Sequence, residues 1–335
     1  MDRLTLDSAR RPALRQLAAA PHRLLFFVGA THVLAAMAWW ALWLFDRRWP
    51  VLGIAPPAVH AGWMHAVVMQ YQVLPPFIFG FLLTVFPRWL ALPPVPLSAY
   101  VPVGLGLLGG QALTLLALSG FGSLLLPGLG LTLCGWLVGT AVLVQVLSVA
   151  QALDRHALSM VAALVLGAVG LGLAFAHAAG ADARLMYGAI KLGGFGLLLP
   201  VYLTVCHRML PFFASCVIPG YSMWRPSWAL TAAWLLALAH LALELVHGHA
   251  WLWIPDLGLA GLGVLLLWRW WPRGAPMPAL LRVLFVGFGW LPVAFALFAA
   301  QSAWFAASGA FAFGRAPTHA LFIGCFGSLL VAMVT

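Results

Sequence analysis

The sequence predicts an all-helical bundle of ten membrane-spanning segments, and three observations carry that prediction. The first is composition. Hydrophobic residues make up 64 % of the 335 positions, charged residues 7 %, and the mean hydropathy is +1.02. A soluble domain carries about 45–50 % apolar and about 25 % charged residues. Too few charged side chains remain to wet a soluble surface, and the same numbers exclude disorder, collagen and disulfide-rich scaffolds. The second is that apolar runs near the ~20 residues needed to cross a bilayer recur along the whole chain. The third is the basic residues: sixteen of the 17 are Arg, and they sit mainly in short loops and the N-terminal tail.

The tail, residues 1–23, holds five Arg and two Asp. The first apolar run, Leu24–Phe45, is longer than the core of a cleaved signal peptide and is expected to stay as a span. The second, Ala58–Phe86, contains Pro75 and Pro76. Two prolines inside a helix must kink or break it and free carbonyls nearby. Ser98–Leu118, Ser123–Leu147 and Ala157–Ala179 are Leu/Gly/Ala helices that say little about function. Met186–Leu210 contains Lys191 and runs into His207-Arg208-Met209-Leu210-Pro211-Phe212-Phe213. Ser227–His247, Trp251–Trp271, Leu281–Trp304 and Pro317–Thr335 complete the set, read as one integral membrane domain over residues 1–335.

Orientation follows from the loops. Twelve Arg fall on the side of the N-terminus and four on the other, which places both termini in the cytoplasm. The clusters Trp39–Trp40, Trp251–Trp253 and Trp268–Trp271 lie at span ends, where an interfacial belt is expected. The net charge of +10 is therefore read as topology, not as a nucleic-acid surface, since no basic run alternates with exposed aromatics. The four cysteines form neither a Cys-x-x-Cys pair nor a zinc spacing and are read as small core residues. No phosphate-binding glycine loop, no His-Glu-x-x-His and no Cys-x-x-Cys-His occurs.

Eleven histidines against seven acids are the informative anomaly. An ionisable group inside a span is costly and is a site candidate by default. On the predicted topology His32 lies in the first span. His60, His65, His177, Lys191, His240, Glu244, His247 and His319 fall towards the non-cytoplasmic leaflet. Imidazole placed between helices is a common ligand for haem iron and copper. His240, Glu244 and His247, at i, i+4 and i+7, share one helix face. That face suits a metal with an orienting carboxylate, or a proton relay or hydrogen-bonded packing. His22, His156 and His249 are read as interfacial. Arg208 is either a cytoplasmic anchor or a partner for an acidic ligand such as a haem propionate.

Four stretches in order resemble the NnrS family, polytopic bacterial membrane proteins associated with haem, copper and the response to nitric oxide. His65-Ala66-Val67-Val68-Met69, with Gly80-Phe81-Leu82-Leu83-Thr84 and Phe86-Pro87-Arg88-Trp89, is similar to the family's W-H-A-H-E-M…G-F-L-L-T-A-x-P-N-W. Arg208-Met209-Leu210-Pro211-Phe212-Phe213 resembles R-R-V-I-P-F-F, and His319-Ala320-Leu321-Phe322-Ile323-Gly324 resembles H-A-L-T-V-G. Leu280 to Pro292 resembles L-L-W-V-L-H-x-G-Y-x-W-x-P. Val67, Val68 and Phe285 stand where the family has His, Glu and His, and His207 stands in place of an Arg. The family continues past the position of Thr335 with further spans, so the resemblance implies a divergent or shortened member.

The resemblance implies a protein of the bacterial inner membrane that binds haem and copper and meets nitric oxide. His65 and His319 would be axial or metal ligands, and Arg208 a propionate-facing group. The physics of the spans adds His240, with Glu244 and His247, as a metal candidate. Two other readings remain. One is a transporter or channel using the Pro75–Pro76 break, Lys191 and the histidines. The other is a cofactor-free relative acting as an assembly partner.

Overall fold

The computed structural model describes residues 16–273 and 276–334, so most of the basic tail and Thr335 lie outside it. All ten predicted spans are helices long and apolar enough to cross a membrane. Spans 1 to 5 are Pro21–Arg48, Ala61–Trp89, Leu97–Leu118, Gly122–Ser148 and Arg155–Ala178. Spans 6 to 10 are Ala183–Val217, Ser227–Leu245, His249–Trp270, Ala279–Ser308 and Ala316–Val334. Span 6 runs beyond the predicted Leu210 because Pro211 continues the helix, which ends only at Val217. Span 7 stops two residues before the predicted His247.

The helices form two compact units, Met1–Gly193 and Gly194–Thr335, divided inside span 6. The division falls in a π-helical stretch, Leu192–Leu198. Span 2 has the same device: a π-turn, Met69–Val73, precedes the helix that restarts at Pro75. Spans 2 and 6 are also the most enclosed, with 83 % of their apolar centres buried. Enclosed helices of this kind can bury polar side chains too, and span 2 buries Gln70 and Gln72 and span 6 buries His207.

Small residues decide the packing in unit 1. A methyl group on Gly106 would lie 2.7 Å from the Gly135 Cα, and one on Gly110 would lie 2.7 Å from the Thr132 backbone nitrogen. Spans 3 and 4 therefore meet backbone to backbone along Gly106-x-x-x-Gly110, the close approach that small residues permit between helices in lipid.

The acids divide by place. Asp154 caps span 5, accepting from the His156 and Ala157 N–H groups at 2.8 and 3.1 Å. Asp182 begins span 6 by accepting from the Arg184 N–H at 2.7 Å. Asp46, at the end of span 1, collects the N–H groups of Leu52, Gly53 and Ile54 and so folds the loop that follows. Caps and turns consume these carboxylates. Among the described residues, only Glu244 and Asp256 place a carboxylate amid the buried faces of unit 2.

Candidate functional site

Each unit encloses a polar centre. In unit 1 it begins with the two prolines. In a helix the carbonyls of Tyr71 and Gln72 would accept from residues 75 and 76, but both are proline and have no N–H. The His32 Nδ1 takes the Gln72 carbonyl at 2.6 Å. A carbonyl only accepts, so Nδ1 carries the proton and the neutral ring keeps its lone pair on Nε2. That Nε2 is buried without a hydrogen-bond partner.

The Gln72 side chain is held as firmly. Its Nε2 donates to Thr114 Oγ1 and to Thr132 Oγ1, both at 2.9 Å. Each hydroxyl donates in turn to a carbonyl of its own helix, Gly110 and Gly128. The glycine contact between spans 3 and 4 is what brings the two threonines within reach of one amide. Gln111 Nε2 adds a donor to the His32 carbonyl at 3.3 Å, and the Tyr71 hydroxyl donates to Ala189 at 2.6 Å.

In unit 2 the centre is ionisable. His240, fully buried on span 7, has Nδ1 2.5 Å from Asp256 Oδ1 on span 8. Its Nε2 faces Glu244 Oε1 at 3.8 Å, beyond hydrogen-bond range. The other oxygen of Glu244 lies 3.5 Å from His249 Nδ1. The imidazole of His240 is walled by Phe195 at 3.9 Å, Phe298 at 5.5 Å and Phe295 at 6.1 Å between ring centroids.

The sequence-predicted residues fall as follows. His65 is half-buried on span 2 with its ring stacked on Trp40 of span 1, 4.2 Å apart and 11° from parallel. His60 and His177 both present ring edges to Trp63 at 5.9 Å. Lys191 places its ammonium 5.3 Å from the Tyr187 ring. His319 is exposed on span 10, with Nδ1 2.9 Å from the Arg315 carbonyl. Arg208 is half-buried in span 6, and its carbonyl accepts from Arg225 at 3.4 Å. His65 belongs to unit 1, and His319 and Arg208 to unit 2.

His247 does not share the face of His240 and Glu244. The helix ends at Leu245, and His247 turns away with φ of +56°, its ring 5.7 Å from His249. The residues predicted from sequence do not include Asp256, and His249, expected at the interface, stands in the turn that opens span 8 with Nδ1 near Glu244. Asp256 had a signal: it is one of seven acids and stands three residues after Trp253 at the start of an apolar run. Among the described residues no group of three or more His, Cys, Asp and Glu could hold a metal ion.

At the positions where the resemblance leads to the expectation of His, Glu and His, this chain buries apolar side chains. Val67 and Val68 are enclosed in unit 1, and Phe285 in unit 2 packs edge-on against Trp271 at 5.5 Å. His207, in place of the expected Arg, donates through Nε2 to the Pro226 carbonyl at 3.1 Å and so helps hold the 218–226 loop. Tyr221 in that loop donates to the Trp270 carbonyl at 2.9 Å, and burial pushes its phenol up to about 12.

A family model described as NnrS protein matches residues 16–335, nearly the whole chain. No curated protein and no solved structure matches it.

Proposed function

We infer, from the premise that this chain belongs to the NnrS family, that it is a multi-pass inner-membrane protein that binds haem. Its role on this reading is in nitric oxide stress or metabolism. The observation that carries the reading is the contact of His319 Nδ1 with the Arg315 carbonyl at 2.9 Å. The Arg315 carbonyl can only accept, so Nδ1 holds the proton and the neutral ring offers the Nε2 lone pair from an exposed side chain. Ligating histidines are oriented in this way, with the second nitrogen tied to a carbonyl or carboxylate.

The donor set suits a group that asks one or two imidazoles of the protein, as haem does. A closed copper cage needs more ligands in one place than the described residues assemble. His65 is a separate candidate ligand within unit 1, its ring stacked on Trp40. Arg208 supplies a guanidinium that can pair with a propionate. Bound haem iron supplies a coordination position for a small gas such as nitric oxide.

The test is the absorption spectrum of the purified protein and of its His65→Ala and His319→Ala variants. Loss or displacement of the haem band in either variant supports the assignment. An unchanged band in both would overturn it.

A further inference from the structure

Unit 2 contains a chain of acid and base groups for which the haem reading has no use. Three of the described carboxylates are spent on helix caps and loop turns, whereas Glu244 and Asp256 flank one fully buried imidazole. The groups facing His240 are Asp256 from span 8, Glu244 one turn along its own helix, and the phenyl rings of Phe195, Phe295 and Phe298 from spans 6 and 9. His249 stands at the mouth. Its backbone carbonyl accepts from Ser302 Oγ at 2.7 Å, and that oxygen accepts from the Trp253 N–H at 3.0 Å, so the turn is tied to span 9. The His249 side chain is 19 % exposed, against 6 % for Glu244 and none for His240 and Asp256.

Charge sets the occupancy. Two ionised carboxylates with one imidazolium would leave a net negative charge among phenyl rings, at a cost of several kcal/mol. A neutral His240 that donates from Nδ1 to Asp256 would aim its Nε2 lone pair at the Glu244 oxygen 3.8 Å away. Two lone pairs facing each other in a dry site repel, so a proton belongs between them. Asp256 Oδ2 is also buried without a hydrogen-bond partner. The cluster therefore has room for one more proton than the imidazolium alone provides.

We propose that His249, Glu244, His240 and Asp256 form a single-proton store in unit 2, loaded and emptied through His249. Before loading, His240 is an imidazolium with one N–H towards Asp256 Oδ1 and the other towards Glu244, and both carboxylates are ionised. On loading, His249 Nδ1 gives its proton to Glu244 Oε2: that N–H bond breaks, the O–H bond forms, and His249 takes a replacement proton from solvent. One proton enters, so the net charge of the buried groups rises by one and the cluster becomes neutral. The store empties by the same steps in reverse. This inference does not use the haem reading, and either can fail alone.

Glu244 is the only glutamate in the chain, so carboxyl-labelled ¹³C-glutamate reports on it without mutation. The experiment follows that carbon by NMR in the detergent-purified full chain from about pH 3 to about pH 9, which brackets free carboxyl and imidazole groups. The expected result is one titrating resonance whose transition moves in Asp256→Asn. His249→Ala should slow its proton exchange at least about tenfold with the same end points. A carbon shift that is flat with pH, or an exchange rate unchanged in His249→Ala, would overturn the proposal. Should Asp256→Asn fail to fold, the labelled wild-type chain and His249→Ala decide the matter.

Discussion

The two polar centres differ in kind. Unit 1 buries His32, Gln72, Gln111, Thr114 and Thr132, of which only the imidazole can change charge in the accessible range. Unit 2 buries His240 between two carboxylates. The first centre answers a local structural problem: two prolines strip two carbonyls of their helical donors, and His32 supplies a donor to that of Gln72. The second sits where span 7 ends and span 8 begins, with Glu244 in the last turn of one and Asp256 in the first α-helical turn of the other. Its ionisable groups lie at helix ends, not inside a helix broken by two prolines, so they do not answer a break of that kind. Buried polarity that repairs backbone is structural, whereas buried charge beyond repair points to chemistry.

That contrast can be broken by mutation, and the largest effect belongs to unit 2. Asp256→Ala strands His240 and Glu244 and should cost about 3–5 kcal/mol of stability. A thermal melt in detergent that matches wild type would mean that the cluster carries no buried charge. In unit 1 the equivalent blow is steric. Gly110→Leu drives a side chain into the Thr132 backbone and should cost about 1–3 kcal/mol or more. Glutamine-side-chain NMR would then show the Gln72 amide losing its threonine partners. A Gln72 signal indifferent to the change would separate the glycine contact from the polar centre.

The repair itself is open to a double-mutant cycle. His32→Ala leaves the Gln72 carbonyl without a donor and should cost about 1–3 kcal/mol. Pro76→Ala restores the missing N–H, so the double variant should recover part of that loss. Strict additivity would show that His32 is not there to satisfy the carbonyl. The smallest expected effect is Thr132→Val, at about 0.6 kcal/mol, typical of one hydrogen bond between helices in a membrane. A loss several times larger, read from the same melts, would place Thr132 in a role beyond holding the amide.

The sequence was informative where the signal is local. Ten apolar runs became ten spans, and Pro75 and Pro76 announced a break that the structure realises as the Met69–Val73 π-turn. The match of residues 16–335 to the family agrees with motifs spread from His65 to Gly324. What was hidden depends on partners from other helices. Periodicity placed His240, Glu244 and His247 on one face because it assumed that the helix continues past Leu245, and Val246 to Gly248 form a turn instead. Asp256 lies sixteen residues from His240, and no spacing rule links a residue near the end of one helix to the first turn of the next. The Leu/Gly/Ala helices looked uninformative, yet Gly106 and Gly110 set the approach that delivers two threonines to Gln72. The tautomer of His319 depends on a carbonyl four residues back, which becomes visible only once the turn is built.

The central claim about function is that this chain carries haem. An absorption spectrum with iron and copper quantified, on wild-type protein purified from haem-replete cells, tests it most directly. A Soret band with stoichiometric iron is the expected result. Clean, folded protein with neither metal would contradict the haem assignment.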